Sequence, residues 1–297
     1  MDRLNAMSIL LDVIDAGSMS AAGRRRGVPL ATVSRKVSDL EAHLGTRLLD
    51  RSSRRISLTD AGAAFVGACR RILEEVAEAE RAAAGEYRPP KGALHLSAPV
   101  LFGRLHVLPI VTEFLGAYRE IDIRLTLLDR VVDLQDDHVD VAVRIGSLPD
   151  SSLIATRVGS IRRVVCGSPA YFAANGRPTR PSDLATRDCI SFTGLTSPGT
   201  WNFQVGKTDQ AVAIHPRLVV NTAEAAVDAA VAGVGITRVL SYQAAAAIRA
   251  GTLAVALSEF EPDSSPVSLV YAGHRLLPQK LRAFLDFAAP RLKAGLA

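Results

Sequence analysis

Cysteine is scarce in this sequence: the 297 residues include only Cys69, Cys166 and Cys189. Their number and spacing fit neither a disulfide framework nor a zinc-type cluster, so we predict reduced thiols in a reducing cytoplasm. A redox switch between Cys166 and Cys189 is the alternative to inert, buried cysteine, which is the commoner state.

Motifs of common enzymes are missing as well. The sequence has no glycine-rich phosphate loop, no nucleophile elbow, and no histidines or cysteines at metal-ligand spacing. Its six histidines stand singly. These absences predict a protein that is not an enzyme and that uses no metal or cofactor.

Long apolar runs are also absent. The most hydrophobic stretch, residues 225–240, is interrupted by Asp228 and Arg238, and no run reaches the roughly 20 residues that span a membrane. The first residues lack a signal-peptide pattern, so we expect a cytoplasmic protein with no membrane partner. At 48% hydrophobic content, the chain can bury more than one core, and we expect two or three compact units.

The most informative segment that is present is an amphipathic stretch at residues 29–44. Val33, Val37, Leu40 and Leu44 recur on one side at helical spacing. The opposite side is small, hydroxylated and basic. Pro29 is predicted to open this helix and Gly45 to close it as a left-handed cap.

A shorter helical run at residues 18–26 comes just before, with Ser18 and Ser20 available as caps and Gly27 as a turn. Two helices joined by a short glycine turn form a helix-turn-helix, whose second helix can enter the DNA major groove. Residues 47–59 are then predicted to form a short hairpin with a basic tip at residues 51–55. The pattern therefore predicts a winged helix-turn-helix.

Basic charge is concentrated in this segment. Residues 24–55 contain nine basic and three acidic side chains, a net charge of +6, whereas the whole chain carries +5. A local basic field on an otherwise near-neutral protein predicts double-stranded DNA as the partner; ordinary solvated surface charge is the alternative. The predicted DNA-binding residues are Ser18, Ser20, Leu30, Ala31, Thr32, Ser34, Arg35, Lys36, Arg51, Arg54 and Arg55.

A family resemblance rests on sixteen residues within this segment. They are Ala21, Ala22, Ser34, Arg35, Leu40, Glu41, Leu44, Gly45, Arg47, Leu48, Leu49, Arg51, Leu58, Thr59, Ala61 and Gly62. Their order resembles the winged helix-turn-helix of LysR-type transcriptional regulators. The resemblance implies a regulator that works as a homodimer or a dimer of dimers, with RNA polymerase as a further partner. Two-fold symmetry in such a protein predicts an interrupted inverted repeat in the DNA.

Three residues depart from the family pattern. Met19 stands where Phe is usual, Gly23 where Ala is usual, and Arg26 where a core Leu is expected. Arg26 either lays its stem on the core and sends its charge outward, or it weakens the packing of the second helix.

A long helix is predicted from Thr59, a natural N-cap followed by Asp60 in the first turn. Its apolar residues alternate steps of four and three, which is the seam of a coiled coil. Pairing with a second copy is favoured over packing on its own domain, and the resemblance implies the same dimerisation role. The predicted dimerisation residues are Phe65, Cys69, Ile72, Val76, Ala79 and Ala83, with Gly85 and Pro89-Pro90 as the linker that follows.

Beyond Lys91 the pattern becomes an alternation of strands and helices, which argues for an open α/β sheet. Residues 140–146, 168–171 and 232–236 resemble the effector domain of the same family. That domain is two periplasmic-binding-protein-like subdomains joined by crossover strands, which we expect near residues 160–163 and 266–269.

The predicted fold class is therefore α+β multidomain. It comprises a winged helix-turn-helix at residues 1–60, a dimerisation linker helix and hinge at 61–90, and a C-terminal α/β effector-binding domain at 91–297. Subdomain I is predicted at about 91–162 and 267–297, and subdomain II at about 163–266.

A ligand cleft is expected between the two subdomains. Helix starts after Ser97 and after Asn221 should face it, and their unpaired N–H groups favour a small anion. Alternatively, Asn221 and Glu224 form a capping box, and Arg144 pairs with Asp140 or Asp129. The predicted effector-binding residues are Ser97, Ala98, Pro99, Arg144, Asn221, Thr222 and Thr237.

The leading hypothesis is a sequence-specific DNA-binding transcriptional regulator that responds to a small anionic effector. The alternatives are a solute-binding protein, which the α/β half alone would fit, and an enzyme with an accessory basic module.

Overall fold

The computed structural model describes residues 2–50, 56–83, 89–134, 136–148, 152–193, 199–273 and 277–296; the side chains of residues 71, 75, 78 and 81–83 lie outside this description. The chain divides into two compact units, Met1–Pro89 and Pro90–Ala297.

The first unit is a helical domain with a small hairpin. Its elements are α1 (Arg3–Ala16), α2 (Met19–Arg26), α3 (Leu30–Leu44), β1 (Leu49–Asp50), β2 (Ser57–Leu58) and α4 (Asp60–Ala83). Ser18 caps α2 by accepting a hydrogen bond from the N–H of Ala21. Gly27 and Gly45 end α2 and α3 with φ of 68° and 66°, as predicted, because a side chain is strained in that conformation.

The apolar side of α3 forms part of the core, with one difference from the prediction. Val33, Val37 and Leu40 are buried against α1 and the hairpin, but Leu44 is 37% exposed in the last turn. The helix also begins one residue later than predicted: Pro29 is the N-cap and Leu30 the first helical residue.

The hairpin pairs Leu49 with Leu58 and Asp50 with Ser57. Glu41, at the end of α3, fixes its first strand by accepting hydrogen bonds from the N–H groups of Leu48 and Leu49 at 2.9 and 3.1 Å. This carboxylate therefore ties the hairpin to α3.

The second unit contains two five-stranded sheets. The strands of the first sheet, in spatial order, are β4 (Ile121–Leu127), β3 (Gly92–Ala98), β5 (Val141–Ile145), β14 (Ser265–Ala272) and β6 (Leu153–Ile161). Those of the second are β11 (His215–Val220), β8 (Asp188–Phe192), β12 (Ile236–Leu240), β7 (Arg163–Gly167) and β13 (Ala254–Ala256). A hairpin of β9 (Thr200–Val205) and β10 (Thr208–Ala213) packs on the second sheet.

The helices of this unit are α5 (Val100–Ala117), α6 (Pro169–Asn175), α7 (Ala223–Val231), α8 (Ser241–Arg249) and α9 (Gln279–Leu296). The chain leaves the first sheet at Ile161 and enters the second at Arg163, where a crossing was expected. It returns before Ser265, slightly earlier than expected, because β14 pairs with β6 from its first residue.

Helix α5 is longer and more apolar than the sequence suggested. It begins at Val100, contains a π-helical segment at Gly103–Val107, and is, among the described residues, the one continuous helix long and apolar enough to cross a membrane by length and composition. Its side chains Phe102 and Phe114 are fully buried in the core of the first sheet. It therefore packs as a core helix of this unit.

Candidate nucleic-acid interface and effector cleft

The exposed side of α3 presents small and polar side chains at the surface of the first unit. Ala31 and Arg35 are exposed, Thr32, Ser34 and Lys36 are half-buried, and Leu30 at the helix start is 52% exposed. Among the described residues, the Arg35 guanidinium has no hydrogen-bond or ion-pair partner. The exposed side of α3 therefore combines small side chains with an arginine that is available to an external partner, as a helix entering a groove requires.

The remaining predicted DNA-binding residues divide into two groups. Ser18 is occupied as the α2 cap, and Ser20 is exposed, 3.4 Å from it between hydroxyl oxygens. Arg51, Arg54 and Arg55 lie outside the described residues, so their contact with phosphate stays a prediction.

Two basic residues of the segment have internal partners. Arg25 and Arg26 both pair with the carboxylate of Asp12 on α1, and Arg26 also donates to Ser8 and, at 3.3 Å, to Asn5. Arg26 thus replaces the expected core leucine with a polar clamp between α2 and α1. Their charge is partly neutralised within the domain, so the field offered to DNA is weaker than the sequence count implies.

This clamp makes the first unit sensitive to acid. Burial alone would raise the pKa of Asp12, but hydrogen bonds from Arg25 and Arg26, together with their charges, bring it below its ordinary value. A lowered carboxyl pKa stabilises the fold above the unfolded-state pKa of about 3.9. That stabilisation is lost as the pH falls through the lower, folded-state pKa.

We expect Asp12→Asn to lower the free energy of unfolding of the first unit by about 1–3 kcal/mol at neutral pH, because a charge-assisted pair is broken and Arg26 is left half-buried. The difference from wild type should shrink below about pH 4. The matched control is Asp15→Asn, which breaks the exposed 2.5 Å pair with Arg70 and should cost at most about 1 kcal/mol. Hydrogen exchange of the amides in α1–α3 reports the stability of this unit separately from that of the second unit. Equal losses of stability in Asp12→Asn and Asp15→Asn would contradict the clamp.

Helix α4 begins as predicted, since the Thr59 hydroxyl accepts the N–H of Gly62 at 2.9 Å and donates to the carbonyl of Arg47 at 2.8 Å. The predicted dimerisation seam of α4, however, is buried within the chain in its first half and partly exposed in its second half. Cys69 is fully buried within the chain and Phe65 half-buried against the same core. A residue with no exposed surface is unable to contact a partner, so the prediction that Cys69 lies in a dimer seam is wrong.

The second half of that seam is still available. Ile72 is 38% exposed, Val76 half-buried and Ala79 exposed. The side chain of Ala83 and the linker residue Gly85 lie outside the described residues.

A cleft of about 700 Å³, counting space open to solvent, lies between the two sheets of the second unit. Its polar side chains come from both sides. Its lining residues are Ser97, Ala98, Pro99, Leu128, Asp129, Arg130, Val131, Val132, Val143, Arg144 and Ile145 on one side and Phe192, Asn221, Ala223, Leu240, Tyr242 and Gln243 on the other. Five of the seven predicted effector-binding residues are therefore at this cleft.

The other two predicted residues have structural roles. Thr237 is fully buried, and its hydroxyl donates to the carbonyl of Ile190 at 3.1 Å, so its assignment to the cleft is wrong. Thr222 does not line the cleft; it is the N-cap of α7, where its hydroxyl accepts the N–H of Ala225 at 3.3 Å. The cap therefore lies one residue after Asn221, and the alternative of a capping box between Asn221 and Glu224 is wrong, because the third helical residue after the cap is Ala225.

The start of α5 is also capped from within. The Asp129 carboxylate accepts the N–H of Val100 at 3.0 Å, which was expected to be unpaired. A ligand carboxylate at that point would meet an existing negative charge. This cap is not visible in the sequence, because the two residues are 29 positions apart.

The positive charge of the cleft is supplied by Arg144 and Arg130. Arg130 pairs with Asp137 at 2.8 Å. Arg144 pairs with neither Asp140 nor Asp129 among the described residues; its guanidinium donates to the neutral carbonyl of Val132. Burial lowers the pKa of Arg144, while the charges of Asp133 and Asp137 act in the opposite direction.

The cysteines do not support a redox pair. Cys166 and Cys189 lie on strands β7 and β8, with β12 between them, and belong to the cores on opposite faces of the second sheet. Burial raises the pKa of both thiols to about 12. The redox alternative is therefore contradicted by the geometry.

Comparisons with known proteins agree with both halves of the chain. Residues 4–63 match the family described as "Bacterial regulatory helix-turn-helix protein, lysR family", and residues 88–293 match "LysR substrate binding domain". An HTH-type transcriptional regulator of Xanthomonas campestris pv. campestris is 34% identical over 97% of this chain and 85% of its own length. An HTH-type transcriptional repressor of Pseudomonas aeruginosa is 34% identical over 97% of this chain and 91% of its own.

The same architecture occurs in a solved structure. CrgA, described as a LysR-type transcriptional regulator from Neisseria meningitidis, is 30% identical, covers 97% of this chain and 98% of its own, and gives a TM-score of 0.61. The two matched regions show that a helix-turn-helix domain is followed here by a LysR-type substrate-binding domain. The chain belongs to the LysR family of transcriptional regulators, which bind DNA and carry a small-molecule effector domain.

Proposed function

We propose that α3 enters the major groove, that Arg35 reads a base edge there, and that Ala31, Thr32 and Ser34 contact the neighbouring bases. The observation that carries this assignment is the free Arg35 guanidinium on an exposed side of small residues. Guanidinium groups donate two parallel hydrogen bonds to guanine, which is the commonest specific contact in the major groove. Lys36 and the arginines of residues 51–55 are assigned to phosphate.

Two copies of the chain are proposed to pair through the exposed part of α4, at Ile72, Val76 and Ala79. The support is an apolar strip that continues past the point where the helix packs on its own domain. A closed two-fold dimer presents two copies of α3 to an interrupted inverted repeat. Assembly of two dimers and a contact with RNA polymerase stay predictions that rest on the family resemblance. A cytoplasmic location stays a prediction that rests on the few cysteines and on the missing signal-peptide pattern.

The effector is proposed to be a small carboxylate that binds in the cleft with its charge at Arg144. The Arg144 guanidinium donates to a neutral carbonyl and, among the described residues, forms no ion pair with a carboxylate. Asn221 provides an amide group from the opposite side of the cleft, where the Gln243 side chain is already engaged as a cap that accepts the N–H of Leu240. The cap at Asp129 directs the carboxylate away from the start of α5. Because ligand contacts come from both subdomains, binding favours one relative arrangement of the two subdomains. The effector can shift the equilibrium between arrangements only by binding one of them more tightly than the other.

We expect Arg144→Gln to weaken effector binding by roughly 10- to 100-fold, because a charge-assisted hydrogen bond contributes about 1.5–3 kcal/mol. DNA binding without effector should be unchanged. Asn221→Ala should weaken effector binding less. Thr222 is not a suitable test, since losing its cap costs about 0.5–2 kcal/mol of stability.

The measurement is a thermal-shift screen of mono- and dicarboxylates against wild type, followed by titration calorimetry of any compound that stabilises it. Arg157→Gln, an exposed arginine of β6, is the matched control and should bind like wild type. An effector that bound Arg144→Gln with wild-type affinity would remove Arg144 from the site.

A further inference from the structure

Two arginines are placed together on one face of the second sheet, and neither of them lines the cleft. Strands β7 and β12 are antiparallel, with Leu240 opposite Arg163 and Arg238 opposite Val165. Arg163 and Arg238 are therefore diagonal neighbours on the same face, about 7–8 Å apart between their backbones. Two like charges at this spacing repel each other unless a counter-charge lies between them.

Arg238 is buried deeply enough for the repulsion between the two like charges to matter. It is 6% exposed beneath the hairpin β9–β10, where one guanidinium nitrogen donates to the carbonyl of Asn202 at 2.5 Å and the group lies 5.1 Å from the centre of the Phe203 ring. Its Nε is buried without a hydrogen-bond partner. A guanidinium has five N–H donors, and buried charges are normally paired, so this arrangement is incomplete.

Carboxylates of the described residues do not complete it. Asp188 pairs with Arg217 at 2.8 Å, and Glu261 pairs with Arg162 at 3.1 Å. Burial lowers the pKa of Arg238 to about 9, with the charge of Arg163 acting in the same direction, and burial also lowers the pKa of Arg163. Arg163 is only half-buried, which gives the pair a route to solvent.

We propose that Arg163 and Arg238 form a second ligand site, in which a small oxyanion of the size of phosphate or sulfate is bound between the two guanidinium groups. Planar guanidinium groups bind such oxyanions through paired hydrogen bonds. The anion supplies the missing counter-charge and a partner for the donors that Asn202 leaves unpaired. The site is distinct from the effector cleft, whose cation is Arg144.

The site also adjoins the crossing between the two sheets of the second unit. Arg163 is the first residue of β7, directly after the crossing from the first sheet, and Leu240 opposite it lines the cleft. An anion bound here holds β7, β12 and the hairpin together just behind the cleft.

The test is titration calorimetry of the full chain with sulfate and with phosphate, each at constant ionic strength against chloride. Direct binding is needed because sulfate also stabilises folded proteins by exclusion from their surface. Wild type should bind one anion per chain, and Arg163→Gln should weaken that binding at least ten-fold. Acetate, tested in parallel, distinguishes a site for carboxylates from a site for tetrahedral oxyanions such as sulfate. Tighter binding of acetate than of sulfate and phosphate would overturn the proposed ligand class.

The matched control is Arg249→Gln, which changes an exposed arginine at the end of α8 and should bind sulfate like wild type. Arg144→Gln should also retain sulfate binding, so failure of this site and failure of the cleft assignment are distinguishable. Arg238→Met should lose binding too, and if that variant does not fold, Arg163→Gln alone decides. No saturable binding to wild type, or equal binding to Arg163→Gln, would overturn the proposal.

Discussion

Arg35→Ala is expected to remove most of the sequence preference of this regulator while leaving its non-specific DNA affinity close to that of wild type. A bidentate arginine–guanine contact provides about 1–3 kcal/mol of discrimination, or roughly 5- to 150-fold per half-site. A dimer uses two such contacts. The free guanidinium on α3 is the physical basis, because no internal partner among the described residues competes for it.

Arg35→Lys sharpens this test. Lysine keeps the positive charge but lacks the planar fork that binds guanine bidentately, so specificity should fall although the charge is unchanged. Arg54→Ala, at the tip of the predicted wing, should instead weaken binding to all sequences alike and lower the salt slope by about one. Fluorescence anisotropy on specific and scrambled DNA at several salt concentrations measures both quantities. An unchanged specificity ratio in Arg35→Ala would remove this residue from base recognition.

Ile72→Asp is expected to convert the protein to monomers that bind DNA with near non-specific affinity. Ile72 is apolar and 38% exposed on the part of α4 that does not pack on its own domain. An aspartate there would place two like charges next to each other in an apolar seam, which is strongly unfavourable. A monomer then contacts one half-site of the DNA, whereas the dimer contacts two.

Ala63→Asp provides the matched control, because it adds the same charge to an exposed position on the opposite side of the same helix. It should leave the dimer intact. Light scattering across a concentration range checks both variants. A full dimer in Ile72→Asp would locate dimerisation elsewhere, for example in the second unit.

Local chemistry made the first unit largely predictable. The stripe at Val33, Val37 and Leu40, the serine cap of α2 and the glycine ends of both helices follow from residues only a few positions apart. Helix starts and ends depend on such short-range hydrogen bonds, which a sequence displays directly. The same holds for the pairing of Leu49 with Leu58 across the hairpin.

The failures depended on contacts between distant residues. The sequence contains both Asp12 and Arg26, but nothing local indicates that α1 and α2 bring them together. A four-three apolar seam looks the same whether it packs inside one chain or between two, which is why Cys69 was assigned to the interface. Strand β12 is buried along its whole length, so the hydroxyl of Thr237 belongs to the core although its position in the sequence pointed to the cleft.

Selection of DNA from a random pool by the full-length wild-type protein tests most directly whether a two-fold dimer reads DNA through α3. Such a dimer should enrich an interrupted inverted repeat whose half-site centres lie one helical turn or a whole number of turns apart. Arg35→Lys should lose the preference for the selected bases. Enrichment of a single asymmetric site, or no enrichment over the starting pool, would contradict a two-fold dimer that reads DNA through α3.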